Sequence, residues 1–194
     1  MQVEVWALWL IASPEVLETY RSFLSQKEKD RAARFVFDRH RDAYVLSQGG
    51  LRLLIGHYLN RVPEDITFTF GPKGKPALKD DPGFGFNKSD SKQLALYAFS
   101  NCELGVDVEE GANRDWTRYE ACVKASGQGL NEESPSGWTV HELDPAPGYV
   151  AAIAYLGPER TIRFHEPINP AALLESCHTD PCTGHHLSSD STHG

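Results

Sequence analysis

Two short runs of charged residues carry the chemistry open to this chain. In Gly105-Val-Asp-Val-Glu109 the acids Asp107 and Glu109 stand at i and i+2. On a strand they leave one face while Val106 and Val108 pack on the other. In Trp116-Thr-Arg-Tyr-Glu-Ala-Cys-Val-Lys124 the period becomes helical. Glu120 and Lys124 are then i and i+4 on one face, with Trp116 and Val123 expected to pack inward. Carboxylates on a strand, another on a helix and a lysine one turn on are parts that a hard divalent cation and a phosphate could use. Each run also has an ordinary reading, as solvated strand-end acids and as a surface ion pair worth about 0.3–0.5 kcal/mol.

A second feature is cationic. Between Lys27 and Arg41 six basic residues (Lys27, Lys29, Arg31, Arg34, Arg39, Arg41) stand against three acids. Arg52 follows about three helical turns later. In a chain of net charge −8 such a patch suits an anionic ligand, although a solvated helix face would read the same way. Gly71-Pro-Lys-Gly-Lys-Pro76 has the lysine of a phosphate loop. It lacks the Walker spacing and the following Ser or Thr, which excludes a nucleotide-hydrolase reading.

The elements that must position these residues follow from local pattern. Val3–Ile11 is apolar on both faces and reads as a buried strand. Ser13-Pro14-Glu15 starts a helix running to about Leu24, and Ser25-Gln-Lys-Glu28 is a capping box opening a second. Asp38–Leu59 repeats apolar residues at helical spacing. Gly49-Gly50 inside it costs propensity, about 1 kcal/mol each, which close packing would explain. Ile66–Phe70, Phe84–Ser89, Leu94–Phe99 and Leu104–Glu109 read as strands, and Trp116–Lys124 as a helix ended by Gly127. Trp138–Leu143, Gly148–Tyr155 and Thr161–His165 read as strands closing a second lobe.

Four blocks occur in a fixed order: Gly74-Lys-Pro76, Phe86-Asn-Lys-Ser-Asp-Ser91, Gly105–Glu109 and Trp116–Lys124. Together they resemble the 4'-phosphopantetheinyl transferases of the type that activates surfactin synthetase, over roughly the first 155 residues. The resemblance implies an α+β fold of two similar lobes with the active site between them. It implies transfer of the 4'-phosphopantetheine arm from coenzyme A to a serine of an acyl or peptidyl carrier protein, releasing 3',5'-ADP. Asp107, Glu109 and Glu120 would hold Mg2+, Glu120 would also act as general base, and Lys124 would stabilise the leaving phosphate. Lys27, Lys29, Arg31, Arg41, Arg52, Lys75, Ser89 and Asp90 would face coenzyme A.

The chain departs from that pattern at several places. Ala43 stands where the family has an arginine, with Arg41 or Arg39 as substitutes. Asp90 replaces a histidine and Tyr119 a lysine. The family carries a few tens of residues between its strand acids and its tryptophan, whereas here only Gly111–Asp115 lie between. A link that short can still join strand to helix, and it predicts thinner packing in the second lobe. The alternative reading is a catalytically inactive relative that binds coenzyme A or a carrier protein.

Length and composition (194 residues, 40% apolar, 24% charged) fit one domain or two small lobes. The expected division is 1–104 as N-terminal lobe, 105–168 as shortened C-terminal lobe and 169–194 as a disordered tail. The acidic balance argues against nucleic acid, and no apolar run reaches membrane-spanning length. The four cysteines lack framework spacing, so a cytoplasmic monomer with reduced thiols is expected. Cys177, His178, Cys182, His185 and His186 in the tail match no zinc pattern.

Overall fold

The computed structural model describes residues 2–111, 113–127 and 137–179. In chain order the elements are β1 (Gln2–Trp9), α1 (Pro14–Ser22), α2 (Gln26–Ala32), α3 (Asp38–Leu59), β2 (Phe68–Phe70) and β3 (Pro76–Leu78). Then come β4 (Gly85–Ser91), β5 (Leu94–Ser100), β6 (Leu104–Glu110), α4 (Arg114–Ser126), β7 (Trp138–Leu143), β8 (Tyr149–Leu156), β9 (Thr161–Ile168) and α5 (Pro170–Thr179). This is a mixed α+β protein. The first sheet runs β4-β5-β1-β9, the second β6-β8-β7, and β2-β3 is a separate hairpin.

Side-chain alternation stacks these pieces into layers. Along β5, Ala95, Tyr97 and Phe99 point to the helices, where they meet Tyr20, Leu46 and Leu54. Leu94, Leu96 and Ala98 point the other way, onto Val106, Val108 and Ile153 of the second sheet. β1 does the same, with Leu8 toward the helices and Val3, Val5 and Ala7 toward the second sheet. The glycine pair in α3 has the close-packing explanation expected of it. A Cβ on Gly50 would lie 2.6 Å from the Tyr97 hydroxyl, and one on Gly49 2.8 Å from the carbonyl of Tyr20.

Caps behave as the sequence indicates. Ser13 caps α1 and accepts from the Val16 amide, and Ser25 and Glu28 form a complete capping box on α2. Gly127, at φ 67°, ends α4 in the left-handed region.

Three expectations change. β9 does not close the second lobe. It pairs in parallel with β1, so the chain returns to the first sheet after leaving the second. Residues 170–179 are a docked helix and not the start of a tail: α5 packs on the helical core, with Leu173 fully buried and the Tyr20 hydroxyl donating to the Pro170 carbonyl at 3.0 Å. Leu173 enters the helical core, and Leu174 and Cys177 pack against it. Residues 180–194, with Cys182, His185 and His186, lie outside the described residues, as does the His178 side chain. Third, Trp116 is 44% exposed rather than inward. The buried face of α4 is Thr117, Ala121, Cys122 and Ala125, against Ala152 and Ala154. Small residues on both sides bring helix and sheet close together, and it is Trp138 of β7 that packs against them.

Candidate active site

β4 is the wall on which the site is built, and strand alternation divides its side chains. Asn87, Ser89 and Ser91 turn toward β6 and bridge the two sheets. The Val106 amide donates to Asn87 Oδ1 at 2.9 Å. Ser89 Oγ donates to Asp107 Oδ1 at 2.9 Å, and Ser91 Oγ to Glu109 Oε2 at 3.1 Å. Lys88 and Asp90 turn the other way, toward α3. The FNxSxS wording is thus a ladder of small polar side chains at period two, each holding the opposite strand or one of its acids.

α4 completes this first group. Gly105 lets it approach: a Cβ there would lie 2.2 Å from the Ala121 carbonyl and 2.4 Å from the Ala125 nitrogen. At that separation Lys124 reaches across, its Nζ 2.6 Å from Asp107 Oδ1 and 2.9 Å from Ser89 Oγ. Burial raises the Glu120 carboxyl above its ordinary value; Lys124 opposes this, while Asp107 and Glu109 add to it. The short link therefore keeps Glu120 within electrostatic reach of both strand acids. Gly111, at φ 84°, makes the turn, and its amide donates to the Gly148 carbonyl at 2.9 Å.

Asp107 Oδ2 is buried with no hydrogen-bond partner. An orphaned carboxylate oxygen is a donor of the kind a hard dication uses. Among the described residues the acids are not already drawn into a three-ligand cluster, and the ammonium of Lys124 supplies the positive charge on Asp107.

On the helical side of β4 lies a cleft of about 1320 Å³. Lys27, Arg31, Arg34, Arg39, His40, Lys88 and Lys92 line it with acids that include Asp90 and Glu110. Asp90 accepts from Ser47 Oγ at 2.9 Å and lies 3.4 Å from Lys88 Nζ, which itself donates to Ser47 Oγ at 2.8 Å. Burial lowers the Lys88 ammonium below its ordinary value, against the pull of Asp90. Asp107, Glu109, Glu120 and Lys124 do not line this cleft.

The basic candidates divide by what they touch. Lys27 and Arg31 face the cleft, over the rings of Phe70 and Tyr44. Lys29 is half-buried in the last turn of α2 and outside the cleft lining. Arg41 is engaged by Asp38 at 2.8 Å and Asp42 at 3.0 Å. Arg52 has a structural place: 2% exposed, it donates to Glu28 Oε2 at 2.8 Å and to the carbonyls of Pro63 and Ile66 at 2.9 Å. Lys75 donates to the Ala125 carbonyl at 2.6 Å, satisfying the end of α4 rather than pointing into the cleft. Ser89 likewise faces Asp107, away from Asp90. Lys88, His40 and Lys92 are cleft residues that the sequence reading did not select, and Arg34 was counted in its basic patch but not among its coenzyme A candidates. Period-two alternation on β4 was the signal that separates Lys88 from Ser89.

A family model described as 4'-phosphopantetheinyl transferase, N-terminal, matches residues 8–101. The 4'-phosphopantetheinyl transferase HetI of Nostoc sp. is 27% identical over 80% of this chain and 88% of its own length. The chain belongs to the 4'-phosphopantetheinyl transferase superfamily. A second member, Sfp of Bacillus subtilis, is 29% identical over 50% of the chain and 44% of its own length. The human L-aminoadipate-semialdehyde dehydrogenase-phosphopantetheinyl transferase is 32% identical over 52% of the chain and 34% of its own length. The match runs from the end of β1 through β5, so within this superfamily the cleft wall and the Asn87-Ser89-Ser91 ladder lie inside the matched region. The acids and α4 lie beyond it. Among the described residues no helix is long and apolar enough to cross a membrane.

Proposed function

We propose that this chain transfers the 4'-phosphopantetheine arm of coenzyme A to a serine of an acyl or peptidyl carrier protein. What supports the reading is Asp107 held by Ser89 and Lys124 on a polar ladder that backs onto a basic cleft, with Glu109 on the same strand and Glu120 on α4 within electrostatic reach. The first sheet with its helices and the second sheet with α4 are read as a full and a shortened lobe of the family fold.

The serine oxygen forms a bond to the phosphorus that carries the arm, and the bond from that phosphorus to the oxygen of 3',5'-ADP breaks. The serine oxygen must lose its proton as it approaches a phosphorus ringed by anionic oxygens, so the site must supply positive charge and a base. Glu120, in ionised form, takes the serine proton directly or through water; its raised affinity for protons suits a base. Lys124 follows the charge as it moves to the departing oxygen. Asp107 and Glu109, with Glu120, would hold Mg2+, which when bound neutralises the pyrophosphate. Ser89 and Ser91 hold the two strand acids in place. Lys27, Arg31, Arg34 and Arg39 would receive the phosphates of coenzyme A along the cleft.

The test is intact-mass measurement of an apo carrier protein after incubation with the protein, coenzyme A and Mg2+. One added arm per carrier is expected. Glu120→Gln should slow the transfer about 10²–10⁴-fold with coenzyme A affinity within a factor of two, the range of a lost general base. A carrier that gains no mass while coenzyme A still binds would leave the inactive, binding relative as the function.

A further inference from the structure

The turn at the tip of the β2–β3 hairpin faces two ways. Gly74 and Pro76 line the cleft, as do Phe68 and Phe70 of β2, but Lys75 does not. Its ammonium runs to the other side and donates to the Ala125 carbonyl of α4 at 2.6 Å. A Cβ on Gly127, the residue that ends α4, would lie 3.4 Å from Lys75 Cδ, so the stem of the lysine passes close to the helix end. An ammonium suits that place, because the last carbonyls of a helix have no partner within it and the dipole there is negative. The head group is not a solvated one: burial lowers its pKa below the ordinary lysine value, against the pull of Glu103 and Cys102. Ala125 directly follows Lys124, whose own ammonium lies 2.6 Å from Asp107.

From this geometry we infer that Lys75 is a positioning residue, the joint through which a donor seated in the cleft fixes α4, and with it Lys124, against Asp107. The inference rests on the proposed function for the identity of the donor and the work of α4. It adds a physical link between the cleft and acids that do not line it. The hairpin is built to carry that link. Its base is anchored, with the Phe68 ring 5.7 Å from that of Phe86 and 5.2 Å from the Arg52 guanidinium. Its tip is closed by two hydrogen bonds of 2.9 Å, from the Gly74 amide to the Gly71 carbonyl and from the Gly71 amide to the Lys75 carbonyl. Gly74, at φ 82°, supplies the left-handed residue that such a turn needs. A turn closed in this way moves as a unit, so a ligand held against Phe70, Gly74 and Pro76 also holds Lys75, and through it the end of α4.

The test is amide hydrogen exchange of the full chain with and without coenzyme A, beside transfer kinetics. In wild type, coenzyme A should slow exchange severalfold both in the hairpin and in the last turn of α4. In Lys75→Met the slowing should persist in the hairpin and vanish from α4. The same variant should lose about 10–10²-fold in kcat, the scale of a small misplacement, with KM for coenzyme A within about twofold. Lys73→Met, at an exposed lysine of the same turn, is the control and should change neither. A raised KM with unchanged kcat would make Lys75 a donor contact and overturn the joint. Slowing of α4 that survives in Lys75→Met overturns it too, because direct contact with the ligand would then be the cause. Wild-type α4 that exchanges at one rate with and without bound coenzyme A also overturns it, and this measurement stands even if the methionine variant does not fold. Lys75-dependent slowing of α4 in a chain that transfers nothing would leave the joint and overturn the catalytic reading alone. A wild type that binds no coenzyme A overturns both.

Discussion

At the scale of single residues the decisive pair is Asp107 and Lys124. The Asp107 side chain is 4% exposed, one of its oxygens takes the Lys124 ammonium at 2.6 Å, and the other has no partner. Lys124 is 29% exposed, so the lysine can leave for water more cheaply than the aspartate can. Lys124→Met removes the cation and strands a buried carboxylate, at a cost of about 3–5 kcal/mol. If the acids are a cation site, Mg2+ should restore more of the lost melting temperature in this variant than it adds to wild type. Thermal unfolding with and without Mg2+ measures both. Equal Mg2+ effects in the two proteins would remove Asp107 from metal binding. Period alone sets that Asp107 and Glu109 share a strand face and Glu120 and Lys124 a helix face; their roles in a site were implied only by the family resemblance. Ser89 was legible as part of a motif, but its orientation was not: only the alternation of β4 shows that it serves Asp107 and not the cleft. Arg52 and Lys75 were misplaced for a related reason. A long basic side chain looks the same in sequence whether its head meets a ligand, a buried Glu28 or the end of a helix, and tertiary packing alone decides which.

At the scale of elements, α4 is held where its small residues allow, and Gly105 sets that distance. Gly105→Ala would drive a methyl into the backbone of α4, at 2.2 Å from the Ala121 carbonyl, so the helix must lift. Lifting costs about 1–3 kcal/mol of stability. It should cost transfer more, because Glu120 and Lys124 move with the helix and a misplacement of about 1 Å can lower a rate 10²-fold. Urea melts and transfer rates on the same sample check the ratio. A second element-scale joint ties α2 to α3. Glu28 accepts from the Ser25 amide at 2.8 Å, from Gln48 at 2.8 Å and from Arg52 at 2.8 Å. Burial alone would raise its carboxyl, but the Ser25 hydrogen bond and the Arg52 charge outweigh it, and its pKa lies below the usual 4.5. A depressed carboxylate adds stability above its unfolded value and loses it as pH falls through the folded one. Wild type should therefore lose stability in acid below about pH 4.5. Glu28→Gln should be less stable at neutral pH and show a shallower further loss across that window. Denaturant midpoints at pH 7 and pH 3.5 test the sign. The capping box was readable from Ser25 and Glu28, whereas the partnership with Arg52, across the α2–α3 connection, needed the fold.

At the scale of the whole molecule, the chain's path decides how the halves depend on one another. A division at residue 104 would leave β9 and α5 with the second half, yet both belong to the first: β9 pairs with β1, and Leu173 of α5 lies in the helical core. The sequence could show that Thr161–His165 is a strand but not which sheet receives it, since pairing partners carry no local signal. β1 and β5 also send alternate side chains into both cores, so neither core closes without the other. The two halves should consequently unfold as one cooperative unit. Leu96→Ala is the sharp test, because Leu96 is fully buried on the face of β5 that meets the second sheet. Truncation there should cost about 2–5 kcal/mol. If the molecule is one unit, hydrogen exchange at the amides of β5 and β8 should accelerate by the same factor, each opening only with global unfolding. Independent lobes would instead confine the change to one sheet or give the two sheets different factors. A common factor would also mean that α4 holds Glu120 over β6 with the stability of the entire molecule, and not with that of the small alanine-lined contact beneath it.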